Sequence, residues 1–378
     1  MKHNSIEVSV ICITYNQEKY LETAIESILS QKTDFTYEII VHEDVSNDGT
    51  REIIQSYMKE HPAHIIGIFE KKNQYSQGKD FFSALVTDVA KGKYIALCEG
   101  DDFWIDDNKL QKQWEALESH PECDMCACWG TIVSEDGANQ ISQIRPRTGD
   151  GLLAIEDVIM GGGLYLATAG LFFRKSMYDE MMPFEKVLSM DYTIQMKGAL
   201  RGGIYYIDQK MAAYRRYSEG SWTNNVLTQP QKLKEHWKRE TSMLRTLDED
   251  TKGKYHEVIE ERLKAYIPFE EQLNDNRAEI LSLMERIKGS RYIWGMGRRG
   301  RSLELYFNEN EIQVDGVCDA VNKNIGSFTE FGNKIFSTEE VLQRADNILV
   351  SSSFAYRDLI ETDFSGTIYN FQEYMPYG

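Results

Sequence analysis

The chain has 378 residues, of which 42% are hydrophobic and 27% are charged, and its formal net charge is −18. This length provides for two domains and a connector, and a surface so acidic repels phosphate groups, which argues against a nucleic-acid-binding protein. No apolar run reaches the roughly 18 residues that a membrane-spanning helix needs.

Residues 1–5 lead straight into a strand-like stretch, without the apolar core of a signal peptide. Six cysteines are scattered through apolar stretches, which is typical of a reducing compartment and not of a disulfide framework. We therefore expect a cytoplasmic protein, either free or peripheral at the inner membrane face.

The first hundred residues alternate between strand-like and helix-like patterns. Residues 8–13 have the pattern of a buried strand, and residues 20–29 place apolar side chains at helical spacing. The alternation continues with a strand at 37–41, a helix at 50–59, and further segments at 64–69, 81–90 and 94–98. Repeated β-α units predict an α/β fold with a largely parallel, doubly wound sheet.

The pattern changes twice beyond this region. Long, charged helical segments fill residues 229–289, which we interpret as a helical connector. A new strand at 291–294 then opens a small α/β domain over residues 290–378, so that the first domain covers residues 1–228.

Three polar clusters follow predicted strands, at residues 14–18, 43–50 and 99–104. Ligands of doubly wound sheets bind beyond the carboxyl ends of the strands, so we expect the three clusters to lie along one edge. Within the second cluster, residues 48–50 are typical of a turn followed by a helix N-cap.

The third cluster places three carboxylates, Glu99, Asp101 and Asp102, directly after a buried strand. Like charges this close repel each other unless a cation neutralises them, and oxygen-rich sites suit Mg²⁺ or Mn²⁺. From these residues alone, a metal role and its absence are equally open.

Residues 8–104 resemble glycosyltransferase family 2, whose members have the GT-A fold. The family typically shows an opening V-S-V-I-x-x-Y-N, a loop D-D-x-S-x-D-G-T and a metal motif D-x-D-D. Here the last motif is C-E-G-D-D-F-W followed by K-L-Q-K-Q, which resembles a bacterial subgroup with C-E-G-D-D-Y-W. The chain departs from the family at Glu43 and Glu99, where the loop and the metal motif each usually begin with aspartate.

The resemblance implies a nucleotide-sugar-binding domain in which a metal ion bridges the diphosphate. It implies that Asp101 binds Mn²⁺ or Mg²⁺. It also implies that the base and ribose are held by Tyr15, Asn16 and Asp44, which follow the first two strands. The donor-binding residues that we predict are Thr14, Tyr15, Asn16, Glu18, Asp44, Glu99, Gly100, Asp101 and Arg215.

Residues 214–222 resemble the family segment Y-R-x-H-x-x-G-x-W, with Tyr217 in the place of the histidine. If that histidine assists metal or diphosphate binding in relatives, this chain must do without it. Arg215 or Arg216 could contact the diphosphate instead, and an arginine here could equally pair with a surface carboxylate.

The resemblance continues through residues 168–174 and 189–192. In related enzymes an acidic residue at the second place, at the head of a helix beside the acceptor, is the general base, and Asp191 occupies this position. An inverting transfer needs one carboxylate to take the proton of the acceptor hydroxyl. The alternative is that Asp191 only caps the helix.

The C-terminal domain carries Gly295-x-Gly297-x-x-Gly300 directly after its first strand, and Asp319 follows about 20 residues on. This is the context of a dinucleotide fingerprint, in which a helix N-terminus receives phosphate. The domain resembles the Rossmann-like, nucleotide-binding N-terminal domain of bacterial sugar acyltransferases. A packing or oligomerisation domain explains the same glycines equally well.

These residues and the resemblance together predict an inverting, metal-dependent glycosyltransferase that moves a sugar from a nucleotide sugar to an acceptor hydroxyl. The expected donor is a UDP-sugar. The acceptor would be a glycan, a lipid-linked sugar or a glycoprotein in bacterial surface polysaccharide or glycoprotein glycan synthesis, and the C-terminal domain could form a homo-oligomer. The competing hypothesis is a non-catalytic partner subunit that stabilises an active enzyme. An oxidoreductase built on the glycine fingerprint is disfavoured, because it would leave the larger domain without a role.

Overall fold

The computed structural model describes residues 5–78, 80–187, 191–216, 230–319, 325–351, 353–360 and 362–374. The chain forms two compact units, Met1–Glu260 and Glu261–Gly378. The division falls inside the helical segment 229–289, so the helices of that segment are distributed between the two units. In the described ranges, every helix is too short or too polar to cross a membrane.

The first unit is built on one mixed sheet. Its strands are β1 (Ile6–Thr14), β2 (Thr36–Glu43), β3 (Ile65–Phe69), β4 (Tyr94–Leu97), β5 (Phe103–Trp104), β6 (Met125–Val133), β7 (Gln140–Ile144), β8 (Gly151–Leu153), β9 (Leu171–Arg174) and β10 (Ile204–Arg215). The order is β3-β2-β1-β4-β9-β6-β10-β5, with β7 beside β6 and β8 beside β10. The first four strands in that order are parallel, which confirms the α/β alternation predicted for the first hundred residues.

The sheet becomes mixed at β9, which runs antiparallel to both β4 and β6. The chain enters β9 from the turn Thr168–Gly170, which therefore lies at the edge where β4 ends. This reversal brings a segment from the second half of the unit to the carboxyl edge of the parallel strands.

The helices of the first unit cover this sheet. They are α1 (Leu21–Leu29), α2 (Thr50–Glu60), α3 (Phe81–Ala84), α4 (Lys109–Ser119), α5 (Ile155–Gly161), α6 (Asp191–Ala199) and α7 (Pro230–Asp250). The apolar face of α1 is fully buried, as the helical spacing of Leu21, Ile25 and Ile28 predicts. Burying each such side chain stabilises the fold by about 1.5–3 kcal/mol.

The second unit has its own parallel sheet in the order β13-β12-β11-β14-β15, formed by β11 (Arg291–Trp294), β12 (Gly316–Cys318), β13 (Ile335–Phe336), β14 (Asn347–Val350) and β15 (Thr367–Asn370). Helix α8 (His256–Leu263) crosses the division, and α9 (Phe269–Asp275), α10 (Arg277–Arg286), α11 (Arg298–Glu309), α12 (Thr338–Arg344) and α13 (Ser353–Ile360) follow. Neighbouring residues of one strand point to opposite faces of the sheet and pack into two different hydrophobic cores. Ile293 and Leu349 belong to one core, and Tyr292 and Ile348 belong to the other. This alternation covers both faces of the sheet and confirms a small α/β domain at the C-terminus.

Candidate active site

Three loops leave the carboxyl ends of neighbouring parallel strands in the first unit. The first loop (residues 14–18) follows β1, the second loop (44–50) follows β2, and the acidic loop (99–102) comes after β4. The N–H of Gly100 donates to the Ile13 carbonyl at 2.9 Å, which extends the pairing of β4 with β1 into the acidic loop. The structure thus places the three polar clusters at one edge of the sheet.

The first and second loops are hydrogen bonded to each other. Asn16 adopts a positive φ of 53°, which asparagine tolerates better than most residues, and its N–H donates to Ser46 Oγ at 2.9 Å. Its side-chain oxygen accepts from the Asn47 N–H at 2.8 Å. Glu18 also acts within this pair of loops, because its Oε2 accepts from the Gly49 N–H at 2.6 Å. These contacts fix the shape of both loops before any ligand arrives.

Asp44 is only 3% exposed and organises a further segment. Its two carboxylate oxygens accept from the backbone N–H groups of Gln74, at 2.6 Å, and Tyr75, at 3.0 Å. The rings of Tyr15 and Tyr75 are 43% and 54% exposed. Sequence reasoning missed Tyr75, because nothing local to it indicates that its backbone meets Asp44.

Glu43 stands where the family usually has aspartate, and it is buried inside the protein. Its Oε2 accepts two hydrogen bonds from the Arg51 guanidinium, at 2.9 Å from Nε and 2.6 Å from Nη2. Arg51 lies on α2, so this ion pair joins the end of β2 to the helix that follows. The longer glutamate therefore serves the local fold.

Gly100 allows the acidic loop to approach the first loop closely. A Cβ at this position would lie 2.5 Å from Gln17 Oε1 and 2.7 Å from Thr14 Oγ1, too close for any other residue without displacing them. Both of these oxygens are buried without a hydrogen-bond partner. Buried polar atoms of this kind usually find a partner, so these two oxygens of the first loop have unused hydrogen-bonding capacity.

The acidic loop concentrates negative charge. Burial, followed by the nearby charges of Asp191, Asp102 and Asp101, raises the pKa of Glu99 well above its usual range. Burial and the charge of Asp101 likewise raise the pKa of Asp102, whose Oδ2 lacks a hydrogen-bond partner. A cation at this place would relieve the repulsion that both carboxyls experience.

The acidic loop offers carboxylate oxygens to a metal ion. Among the described residues, no three histidine, cysteine, aspartate or glutamate side chains converge as a ready-made metal cage. Mg²⁺ is usually bound through one or two carboxylates and substrate phosphates, and the carboxylates of the acidic loop are donors of this kind.

Arg215 ends β10 and is 3% exposed. Its Nε donates to the Asp101 carbonyl at 2.8 Å, and its Nη1 donates to the Glu135 carbonyl at 3.1 Å. The guanidinium carbon lies 5.0 Å from the ring centroids of both Tyr20 and Phe103. The contacts of this predicted donor-binding residue are therefore made inside the chain, against the acidic loop.

Asp191 is the first residue of α6 and lies near the acidic loop, since its charge contributes to the raised pKa values of Glu99 and Asp102. Burial raises the pKa of Asp191 to about 6, against the opposing effects of a hydrogen bond with Thr168 and the charge of His236. Ser189 and Met190, which belong to the same motif, lie outside the described residues, as does Tyr217.

Two neighbours of Asp191 were not predicted from the sequence. Thr168 belongs to the turn that precedes β9. The only sequence feature that pointed to it was the resemblance of the segment T-A-G-L-F-F-R, residues 168–174, to the family. His236 lies on α7, where its Nε2 is 3.3 Å from Glu240 Oε1. Nothing in the local sequence of this long charged helix indicates that its histidine lies near Asp191.

The glycine-rich loop at residues 161–163 is fastened to the helix that carries Asp191. Gln195 of α6 donates through Nε2 to the Gly163 carbonyl at 2.9 Å, and the Tyr192 hydroxyl donates to the Ile159 carbonyl. These hydrogen bonds therefore hold the glycine-rich loop and the start of α6 together.

In the second unit, the predicted glycine fingerprint forms a tight turn between β11 and α11. Gly295 has a φ of 91°, and a Cβ on Gly300 would lie 1.8 Å from the Gly295 carbonyl oxygen. Gly297 is the N-cap residue of α11 and has open space around it, while Asp319 follows β12. Whether this turn receives a nucleotide stays a prediction.

Comparison with known proteins identifies relatives of the first unit. The sequence profile of Glycosyl transferase family 2 matches residues 9–220. An uncharacterized protein of Mycobacterium tuberculosis is 33% identical over 217 residues, which cover 57% of this chain and 60% of that protein. The UDP-Glc:alpha-D-GlcNAc-diphosphoundecaprenol beta-1,3-glucosyltransferase WfaP of Escherichia coli is 36% identical over 112 residues, 30% of this chain and 41% of that enzyme.

These matches span about 60% or less of the length of the relatives. Among solved structures, S. aureus TarS 1–349 in complex with UDP-GlcNAc superposes with a TM-score of 0.52 at 17% identity, covering 75% of this chain and 76% of that one. That likeness shows the GT-A-like fold. Since the family profile covers more than half of the chain, the protein belongs to glycosyl transferase family 2.

Proposed function

We propose that this protein is an inverting, metal-dependent glycosyltransferase that moves a sugar from a UDP-sugar to an acceptor hydroxyl. One observation carries this proposal: the two donor-side loops, the acidic loop and Asp191 meet at the carboxyl edge of a single sheet. A carboxylate cluster for the leaving diphosphate therefore lies beside a separate carboxylate with a raised pKa. Family membership, together with these carboxylates, favours an enzyme over a non-catalytic partner subunit.

The donor would lie on the first and second loops. Tyr15 offers an exposed ring for stacking on the base, and Tyr75 offers a second one held in place by Asp44. Asn16 and Asp44 retain acceptor capacity for the ribose and base beyond the hydrogen bonds that they already make. A UDP-sugar is the donor class named for the related WfaP and is bound in the TarS structure.

The diphosphate would lie over the acidic loop, with Asp101 holding Mn²⁺ or Mg²⁺. When bound, this ion supplies positive charge to the departing diphosphate. Thr14 Oγ1, which lies against Gly100 and has no hydrogen-bond partner, can donate to a phosphate oxygen. The unpartnered Oδ2 of Asp102 lies in the same loop and balances this positive charge.

The acceptor would lie beside the start of α6 and the glycine-rich loop that is hydrogen bonded to it. There the ionised carboxylate of Asp191 takes the proton of the acceptor hydroxyl, while the acceptor oxygen bonds to the anomeric carbon and the bond to the diphosphate breaks. Attack from the face opposite the leaving group inverts the configuration. We propose a lipid-linked sugar or glycan of bacterial surface polysaccharide synthesis as acceptor, in keeping with the diphosphoundecaprenol-linked acceptor named for WfaP.

Donor binding can be tested by thermal unfolding in a panel of nucleotide sugars, each with and without Mn²⁺. A ligand at 100 times its Kd stabilises the folded state by about 2.7 kcal/mol, which raises the unfolding temperature by several degrees. We expect UDP-sugars to raise it most strongly in the presence of metal, because the metal ion supplies the counter-charge that the diphosphate needs at the acidic loop. Stabilisation by GDP- or CMP-sugars and not by UDP-sugars would contradict the proposed donor, and equal stabilisation with and without Mn²⁺ would contradict the metal requirement.

The pH dependence of transfer follows from the pKa of Asp191, which is raised to about 6. The base acts in its ionised form, so kcat/KM should be constant above about pH 7 and fall about tenfold per unit below pH 6. A profile that continues flat to pH 5 would show that the base is another group. The profile is measured between pH 5 and 8 with constant Mn²⁺ and ionic strength.

A further inference from the structure

Arg215 connects β10 to the acidic loop through both its backbone and its side chain. Its N–H donates to Asp102 Oδ1 at 2.9 Å, and its Nε donates to the carbonyl of Asp101 at 2.8 Å. The first bond fixes the side chain of Asp102, and the second fixes the backbone from which the Asp101 carboxylate projects. The guanidinium therefore holds the backbone of the acidic loop at Asp101.

The guanidinium is itself fixed by its surroundings. It lies between the rings of Tyr20 and Phe103, and the Tyr20 hydroxyl donates to Glu135 Oε1 at 2.7 Å. The Glu135 carbonyl accepts from Arg215 Nη1. A Cβ on Gly137 would lie 2.7 Å from the same Nη1, and Gly137 has a φ of 76°. Arginine is suited to this place because its planar group stacks on two faces and donates at its edge, which a lysine ammonium does not do.

The burial of Arg215 argues against a direct contact between its guanidinium and a phosphate. An arginine that binds phosphate presents its N–H edge to the ligand, but the Arg215 side chain is 3% exposed and makes its contacts to carbonyl oxygens of the chain. Its neighbour Arg216 is exposed, with its N–H donating to the Val133 carbonyl. The buried guanidinium of Arg215 therefore has a use other than phosphate binding.

We propose that Arg215 is a positioning residue, which holds the acidic loop so that Asp101 faces the donor diphosphate and its metal ion. The proposal rests on the proposed transferase function for its kinetic consequence. Its structural consequence, a weaker Mn²⁺ site in the UDP complex, can be read without any turnover.

The test compares Arg215→Lys and Arg215→Gln with Arg216→Gln in the full chain. Three quantities are measured: the affinity for UDP without metal by calorimetry, the binding of Mn²⁺ in the presence of UDP by electron paramagnetic resonance, and kcat. We expect both Arg215 variants to bind Mn²⁺ at least tenfold more weakly and to lose about 10²-fold in kcat, the cost of misplacing a group by about 1 Å. Their metal-free affinity for UDP should change less than about twofold, since the nucleotide contacts lie on other loops.

A direct phosphate contact would give the opposite pattern. Arg215→Lys would then retain most of its activity because the charge is kept, while Arg215→Gln would lose metal-free UDP affinity; either result overturns the proposal. Arg216→Gln is the control: it measures how much UDP affinity is lost when an exposed positive charge is removed.

If Arg215→Gln does not fold, Phe103→Leu provides the second variant. This substitution removes one stacking ring and keeps the cation. It should weaken Mn²⁺ binding in the same direction, and unchanged Mn²⁺ binding would contradict the positioning role.

The two hypotheses fail in different ways. Wild-type protein that binds Mn²⁺ and UDP but transfers no sugar would contradict the proposed function, while the Mn²⁺ titration of the variants would still test the role of Arg215. Active wild-type protein with unaltered Mn²⁺ binding in the variants would contradict only the positioning role.

Discussion

Replacing Asp101 with alanine should reduce sugar transfer by at least about 10³-fold, because a metal ion at the leaving group supplies several kcal/mol of transition-state stabilisation. The fold should be retained. Asp101 contributes to the repulsion that raises the pKa values of Glu99 and Asp102, so its removal lowers the electrostatic cost of the acidic loop. We expect an unfolding temperature at pH 7.5 equal to or above that of the wild type.

The matched control is Asp107→Ala, a nearby surface carboxylate whose contact is an exposed ion pair with Lys32 at 2.9 Å. Exposed pairs of this kind contribute about 0–1 kcal/mol, so both activity and stability should survive the substitution. Near-normal turnover of Asp101→Ala in saturating Mn²⁺ or Mg²⁺ would contradict a metal ion held by Asp101.

Replacing Asp191 with asparagine should lower kcat by about 10²–10⁴-fold, the usual contribution of a positioned general base. Asparagine keeps the size of the side chain but cannot accept the proton. The affinity for the UDP-sugar should hardly change, because the proposed donor contacts lie on the first, second and acidic loops. Turnover and nucleotide affinity are measured on the same preparation.

Turnover separates the base from a helix cap, because asparagine caps a helix about as well as aspartate and stability should survive in either case. The pKa of Asp191 is raised to about 6 in the folded protein, so the carboxyl favours folding in its neutral form, and this contribution is lost as pH rises from about 4 to 6. A neutral asparagine should therefore be at least as stable as the wild type at pH 7.5. The control is Asp80→Asn, since Asp80 caps α3 by accepting from the Ser83 N–H at 3.0 Å and should tolerate the change. Retained turnover in Asp191→Asn would mean that another carboxylate is the base.

The parallel half of the sheet could be predicted from the sequence because β1, β2 and β4 are largely buried and the helices between the strands are amphipathic. Residues 8–13 became the centre of β1, and the apolar spacing of 20–29 became the buried face of α1. The reversal at β9 could not be predicted in the same way. It depends on how a segment from the second half of the unit returns to the sheet, and apolar periodicity does not record strand direction.

Residue types after strands predicted which loops would carry the site, but the partners of individual side chains were set by tertiary contacts. Glu43 pairs with Arg51 inside the fold, and Asp44 receives the backbone of residues 74 and 75. Arg215 meets Asp101 across 114 residues of sequence. A local motif identifies an arginine near the diphosphate, and only the folded chain shows that it is buried against the acidic loop.

The most direct test of the proposed chemistry is the configuration of the product. The full chain is incubated with a UDP-α-sugar, Mn²⁺ and a lipid-linked acceptor, and the new anomeric linkage is determined by proton NMR. A β-linked product that forms only in the presence of the metal is the expected result. An α-linked product, or transfer that is equally fast without a divalent metal, would contradict the inverting, metal-dependent mechanism.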